Sequence, residues 1–270
     1  MKERKIIPEK EIRQIELDIF RQIIRVCEKY ELRYIMDYGT LLGAVRHGGF
    51  IPWDDDIDLS MPRPDFEKFY QVFEQEMTEY PQYELRRGMK SDLALPYIQI
   101  VHTGTITEKN GRREKYGQAL WVDIFPIDGG GNSRAEIEQV HAAYWEKINE
   151  SRQIFGRYKP YLNPIKQIRQ FYTHHIRSFA LGKIIAEAEQ CMQTYDYEQS
   201  ELIFCYCTFC GTKEINKKKY YEDRIELEFE GIPCKVPRDY DEKLKNIYGD
   251  YMQLPPEEER KGHDFVPFYR

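Results

Sequence analysis

The sequence predicts an α+β fold: a mixed β-sheet flanked by helices, with a helical insertion in its second half. Three observations carry that expectation. Near the N-terminus, apolar residues recur every three or four positions, the period of a helix face. Around residue 58 they alternate with polar ones, the period of a strand. Residues 151–186 then hold seven Lys and Arg and no Asp or Glu, which sets that stretch apart from the acidic chain on either side. The expected divisions are a core over 1–150, a basic helical insertion over 151–200 and a C-terminal segment over 201–270 that completes the core.

Taken in order, Ile12, Ile15, Ile19, Ile23, Val26 and Tyr30 mark one helix face that begins after Pro8. A strand is expected over 33–38, broken by Gly39-Thr40, with a short helix over 41–47 stopped by Gly48-Gly49. In IPWDDDIDLSM, Asp56, Asp58 and Ser60 alternate with Ile57, Leu59 and Met61, as in a half-buried strand. Pro62 and Pro64 end it, and a helix follows over 65–79. Strands are expected over 95–101 and 120–125 with a charged loop between them, and a helix over 134–149. Further on come a hairpin over 226–236 around Gly231 and a helix over 239–248.

Composition narrows the function classes. The chain has 270 residues, 41% hydrophobic and 32% charged, with a net charge of −6, which argues against a nucleic-acid binder. No apolar run approaches the ~20 residues that span a bilayer, and the N-terminal residues lack the apolar stretch of a secretory signal. The expected location is therefore cytoplasmic, with the six cysteines reduced. Cys205, Cys207 and Cys210 read as part of a buried strand. Zinc, with Cys191 or Cys234 as fourth ligand, is the alternative.

The chemistry concentrates in WDDDID, residues 53–58. On a strand, Asp56 and Asp58 would share a face with Cα atoms about 6.5–7 Å apart, close enough to hold one divalent ion. Asp123, alone inside the apolar run LWVDIFP, is a third carboxylate whose burial a metal would explain. Gly39-Thr40, between strand and helix, offers backbone N–H groups to an anion. Strand, Gly-Thr turn, helix, then a strand bearing two carboxylates is the layout of a nucleotidyltransferase-like sheet, and points to metal-assisted phosphoryl transfer. Three other readings stand beside it. An EF-hand-like calcium loop fails at Leu59, where a sharp turn needs glycine. An Asp-x-Asp glycosyltransferase using a nucleotide-sugar would need a longer nucleotide-binding half before the motif, and a solvated acidic loop is the bland case.

DYGTLLGAVRHGGFIPWDDDIDLSMPRPDFEKF (37–69) resembles the signature of the LicD family, phosphocholine transferases related to fukutin. The resemblance continues at WVDIFPID (121–128), at FEGIPCKVPRDYDEKLKNIYGDYMQLPP (229–256) and at Arg260 and His263. It implies transfer of phosphocholine from CDP-choline to a sugar hydroxyl of a cell-envelope glycan, teichoic acid or lipopolysaccharide, or its lipid-linked precursor. It also implies Mg²⁺, or Mn²⁺, held by Asp56 and Asp58 with Asp54 and Asp123, and Asp123 as base for the acceptor hydroxyl. Gly39 and Thr40 would cradle the diphosphate, and Arg46 and His47 would neutralise the transferred group unless they serve only as the cations of a helix C-terminus. Trp53 is either a core anchor or a platform for the cytosine or the quaternary ammonium. His263 would contact phosphate. Transfer of ethanolamine or ribitol phosphate remains open on the same residues.

The acid-free segment 151–186, with aromatics interleaved among its cations, suits peripheral contact with an anionic membrane at the inner face. A packed helical subdomain with a solvated basic face is the alternative reading.

Overall fold

Pro8 opens helix α1 (Glu9–Lys29), with Glu9 and Glu11 in the first turn where the helix dipole favours acids. Its buried face carries Ile12, Ile19, Ile23 and Val26, as their spacing predicts, and also Glu16. The structure is a computed structural model that describes residues 5–88, 96–109, 112–113, 119–155, 162–208, 210–262 and 265–270. Strand β1 is only Ile35–Met36, shorter than expected. Asp37 ends it by capping α2 (Tyr38–His47), accepting the Tyr38 N–H at 2.9 Å. Gly48, at φ 69°, terminates α2 in the left-handed region that glycine enters without strain.

Next come β2 (Asp58–Pro62) and α3 (Arg63–Glu76). Strand β3 (Tyr83–Arg87), sequence YELRR, carries too few apolar residues to announce itself. It precedes β4 (Ile98–His102), β5 (Thr105–Lys109), β6 (Arg112–Arg113) and β7 (Trp121–Gly129), so part of the expected charged loop is strand. Helix α4 (Arg134–Phe155), α5 (Pro164–Phe171) and α6 (Leu181–Met192) follow, with a π turn over Tyr172–Ile176 and a 3₁₀ turn over Arg177–Ala180 joining the last two. The remainder is β8 (Leu202–Phe204), β9 (Asn216–Lys217), α7 (Lys219–Glu222), the hairpin β10 (Arg224–Phe229) and β11 (Ile232–Pro237), α8 (Tyr240–Tyr248) and β12 (Val266–Tyr269). The strand expected through the cysteines stops at Phe204. Cys205 and Cys207 lie buried in the turn after it, as small apolar residues do.

The main sheet runs β1-β2-β7-β4-β3, with β8 pairing β7 and β9 beyond it. Among the described residues, β2 and β7 pair in parallel and the other pairings of this sheet are antiparallel. Leu59, Met61, Val122, Ile124, Ile98 and Ile100 face a core shared with α1 and α3. Ile127 and Tyr97 join a second core with Ile137 and Tyr144 of α4 and Met192 of α6. The result is a mixed α+β fold with helices on both faces of the sheet.

One buried ion pair ties the C-terminal segment to the sheet. Lys243 of α8, its side chain 2% exposed, donates to the Asp37 carboxylate at 2.8 Å. Asp37 also accepts the Ser60 hydroxyl of β2 at 2.7 Å. Glu214 lies buried beside them: burial raises its carboxyl to about 7, with Lys243 opposing and Asp37 adding to the rise. Lys243→Met should lower the free energy of unfolding by about 3 kcal/mol in urea titrations, because Asp37 is left charged without its cation. Glu214 titrates above its ordinary 4.5, so the folded state holds its proton longer and stability should fall as pH rises from 4.5 to about 7, then level off. Thermal melts across that window should lose this slope in Glu214→Gln.

Candidate active site

Asp58 opens β2 and stands in register with Asp123 on β7. Adjacent parallel strands lie about 4.8 Å apart, so two carboxylates rise side by side from one face of the sheet. Gln99 of β4 pairs with Asp123, and Arg86 of β3 pairs with Gln99, which continues a polar row across four strands. The Trp121 indole donates to Asp123 Oδ2 at 3.1 Å and fixes that side chain's heading.

Asp54, Asp55 and Asp56 are not on the strand; they form the loop that leads into it. This corrects the expectation that Asp56 and Asp58 lie two apart on one strand. A turn in which the Asp54 N–H reaches the Ile51 carbonyl at 2.9 Å bends the chain here, and bonding to β7 starts only at Ile57, whose carbonyl accepts the Asp123 N–H at 3.0 Å. Arg13 of α1 holds the loop by its backbone, donating to the carbonyls of Pro52 at 3.0 Å and Asp54 at 3.3 Å. The carboxylates nevertheless share one field. Burial raises the Asp58 carboxyl well above its ordinary range, and Asp56, Asp123 and Asp54 raise it further. Glu16, which the helical pattern does not single out, is raised in the same way by burial and then by Asp56 and Asp55. Among the described residues, no three His, Cys, Asp or Glu side chains are gathered closely enough to enclose a metal ion. The donor set itself consists of carboxylate oxygens crowded against like charge, which suits a hard divalent cation.

The Gly39-Thr40 turn lies against this cluster. A Cβ on Gly39 would sit 2.5 Å from Asp54 Oδ2, so only glycine lets that carboxylate close on the turn. Thr40 is buried, and its hydroxyl accepts the Asp58 backbone N–H at 2.8 Å, fixing where β2 begins. A pocket of about 550 Å³ opens beside Gly39 and Asp54, with Arg46, Trp53, Tyr248 and Tyr251 among its lining. Arg46 donates to the Tyr251 carbonyl at 2.7 Å. The guanidinium groups of Arg46 and Arg260 lie 6.0 and 5.3 Å from the centre of the Trp53 ring. Burial and the neighbouring Arg260 hold the Arg46 pKa below its ordinary value. His47 is exposed and accepts from Arg46 Nε at 2.9 Å. Trp53 is half-buried, packed against the core on one side and lining the pocket on the other. His263 lies outside the described residues.

Gly39, Arg46, Trp53 and Asp54 thus line one pocket, Asp54, Asp56 and Asp123 lie within electrostatic reach of Asp58, and Thr40 bonds the Asp58 backbone. Sequence reasoning missed Tyr248 and Tyr251 as pocket residues and Arg260 as the neighbour of Trp53. Their distance along the chain hides them, although YGDYM and Arg260 fall inside the stretches that resemble the family.

Residues 31–176 match the family described as LicD/FKTN/FKRP, nucleotidyltransferase domain. The chain is 31% identical over 259 residues to the lipopolysaccharide cholinephosphotransferase LicD of Haemophilus influenzae, covering 94% of each chain. It is 49% identical over 41 residues to the ribitol 5-phosphate transferase FKRP of Homo sapiens, which covers 15% of this chain and 8% of that one. An uncharacterised protein of Rickettsia prowazekii is 45% identical over 110 residues, covering 37% of this chain and 40% of its own.

Thr40→Val removes the acceptor for the Asp58 N–H without changing side-chain volume. It should cost ~1 kcal/mol of stability. Displacing the Asp58–Asp123 pair should cut turnover about tenfold, the equivalent of ~1.4 kcal/mol in the barrier. Thr40→Ser should retain both, as thermal melts and steady-state kinetics will show.

Proposed function

The chain belongs to the LicD/FKTN/FKRP nucleotidyltransferase family, and from that premise we propose that it transfers phosphocholine from CDP-choline to a sugar hydroxyl of a cell-envelope glycan, releasing CMP. The observation that carries the reading is the pairing of Asp58 and Asp123 on adjacent parallel strands, beside a pocket lined by Asp54, Arg46 and Trp53, with Arg260 close to the Trp53 ring. Crowded carboxylates with guanidinium groups nearby form the charge pattern that a metal-bound diphosphate would satisfy. The near full-length likeness to a lipopolysaccharide cholinephosphotransferase favours phosphocholine and lipopolysaccharide over ribitol phosphate, whose transferase matches across only 15% of the chain.

Magnesium, or manganese, held by Asp56 and Asp58 with Asp54 and Asp123, would neutralise the diphosphate and the departing phosphate. The chain's own residues do the rest. Arg46 and Arg260 draw the donor phosphates into the pocket, and Trp53, Tyr248 and Tyr251 present aromatic surface to the cytosine or the quaternary ammonium. Asp123, oriented by Trp121, takes the proton of the acceptor hydroxyl. The sugar oxygen then bonds the β-phosphorus in line as the bond to the bridging oxygen breaks and CMP leaves.

Purified protein given CDP-choline, Mg²⁺ and the acceptor glycan should release CMP and label the glycan. Chelation should stop the reaction and added Mg²⁺ should restore it, while Asp56→Ala and Asp123→Asn should each lower turnover by about a thousandfold, within the range for removed electrostatic and base groups. Full activity in Asp56→Ala would sink the metal assignment. Turnover of CDP-ribitol in preference to CDP-choline would sink the choice of donor.

A further inference from the structure

Helix α5 is an amphipathic helix in which none of the residues is buried. It folds from local signals alone, since Asn163 caps it by accepting the N–H groups of Ile165 and Lys166 at 3.0 and 3.1 Å, with Pro164 in the first turn. On either side of it in the chain, α4 and α6 are joined by a small core of Ile154, Leu181, Ile184 and Ile185 and by Lys147 to Glu187 at 2.6 Å. Beyond that core, apolar side chains among the described residues are exposed. Seven of the thirteen large apolar side chains exposed among the described residues fall within 162–179, including Leu162, Ile165, Ile168, Phe171, Ile176 and Phe179. Ile165 is 76%, Ile168 69% and Phe179 89% exposed. Ile165, Ile168, Tyr172, Ile176 and Phe179 follow one another at three- and four-residue steps, which makes a stripe rather than a scatter. A patch of this size, outside any core, marks an interaction surface.

Charge selects the partner. Lys166, Arg169 and Lys183 are exposed around the stripe, and residues 151–186 carry seven Lys and Arg against no acid. Two copies meeting through this face would bring like charges together. An anionic lipid surface meets both demands: acyl chains take the apolar stripe while phosphate headgroups take the flanking cations, whose stems extend along the apolar surface to reach them. Among the described residues no helix is long and apolar enough to cross a membrane, so the contact is with the surface. We propose that the exposed face of residues 162–180 lies in the interface of an anionic phospholipid bilayer and docks the enzyme there.

The test is co-sedimentation of the full chain with phosphatidylcholine vesicles, with and without phosphatidylglycerol. Binding should require phosphatidylglycerol and should weaken as salt shortens the Debye length from about 10 Å at 0.1 M to about 3 Å at 1 M. The double substitution Ile168→Asp/Phe179→Asp should weaken binding at least about tenfold, by adding acids and removing apolar area together. Lys166→Glu/Arg169→Glu should do the same to phosphatidylglycerol vesicles, and because these side chains are exposed the variant should keep the parent melting curve. Release of CMP with a soluble acceptor should be unaffected in both variants, which separates docking from catalysis. The proposal is overturned if the parent protein stays in the supernatant with phosphatidylglycerol vesicles, or if both variants bind as the parent does. It is equally overturned if light scattering finds a parent dimer that Ile168→Asp/Phe179→Asp splits into monomers, for the stripe would then be a protein interface.

Discussion

Asp58 and Asp123 stand side by side because β2 and β7 pair in parallel in one register, and the rest of the site depends on that pairing. Two carboxylates at that spacing repel, and burial makes the repulsion stronger. The neighbouring structure is arranged to hold them in place. Thr40 pins the start of β2 through the Asp58 N–H, Trp121 holds Asp123, and Arg13 fixes the loop that brings Asp54 and Asp56.

The same logic reaches into the core. Asp37 caps α2, bonds Ser60 of β2 and pairs with Lys243 of α8, so a single buried carboxylate joins the turn, the sheet and the C-terminal segment. The segment after residue 240 then returns to the site, where Tyr248 and Tyr251 line the pocket with Trp53 and Arg260 lies over the Trp53 ring. A buried ion pair contributes less to stability than to specificity when its desolvation is counted. Here it joins α8 to the residue that caps α2.

The insertion follows different physics. Its base is packed and its tip is not, and the tip keeps its helix through a cap rather than through burial. A core that needs rigid placement of carboxylates and a tip that needs a free apolar face place opposite demands on one chain. Separating them along the sequence satisfies both.

Periodicity and short motifs were enough to place α1, α2, β2, the hairpin of β10 and β11, and α8, because a helix stripe, an alternating strand and a glycine turn are written in neighbouring residues. They also drew Asp54, Asp56, Asp58 and Asp123 into one hypothesis from residue type alone. β3 stayed hidden because YELRR reads as polar until β4 covers its apolar side, and β1 shrank because a side-chain cap at Asp37 overrode strand propensity. Only the tertiary structure decided that Asp56 approaches from a loop, that Thr40 serves Asp58, and that Tyr251 and Arg260 meet Trp53 and Arg46. Local patterns carry the dihedral preferences of adjacent residues. Contacts between residues two hundred positions apart are set by which faces must be buried together, and that is known only when the sheet has formed.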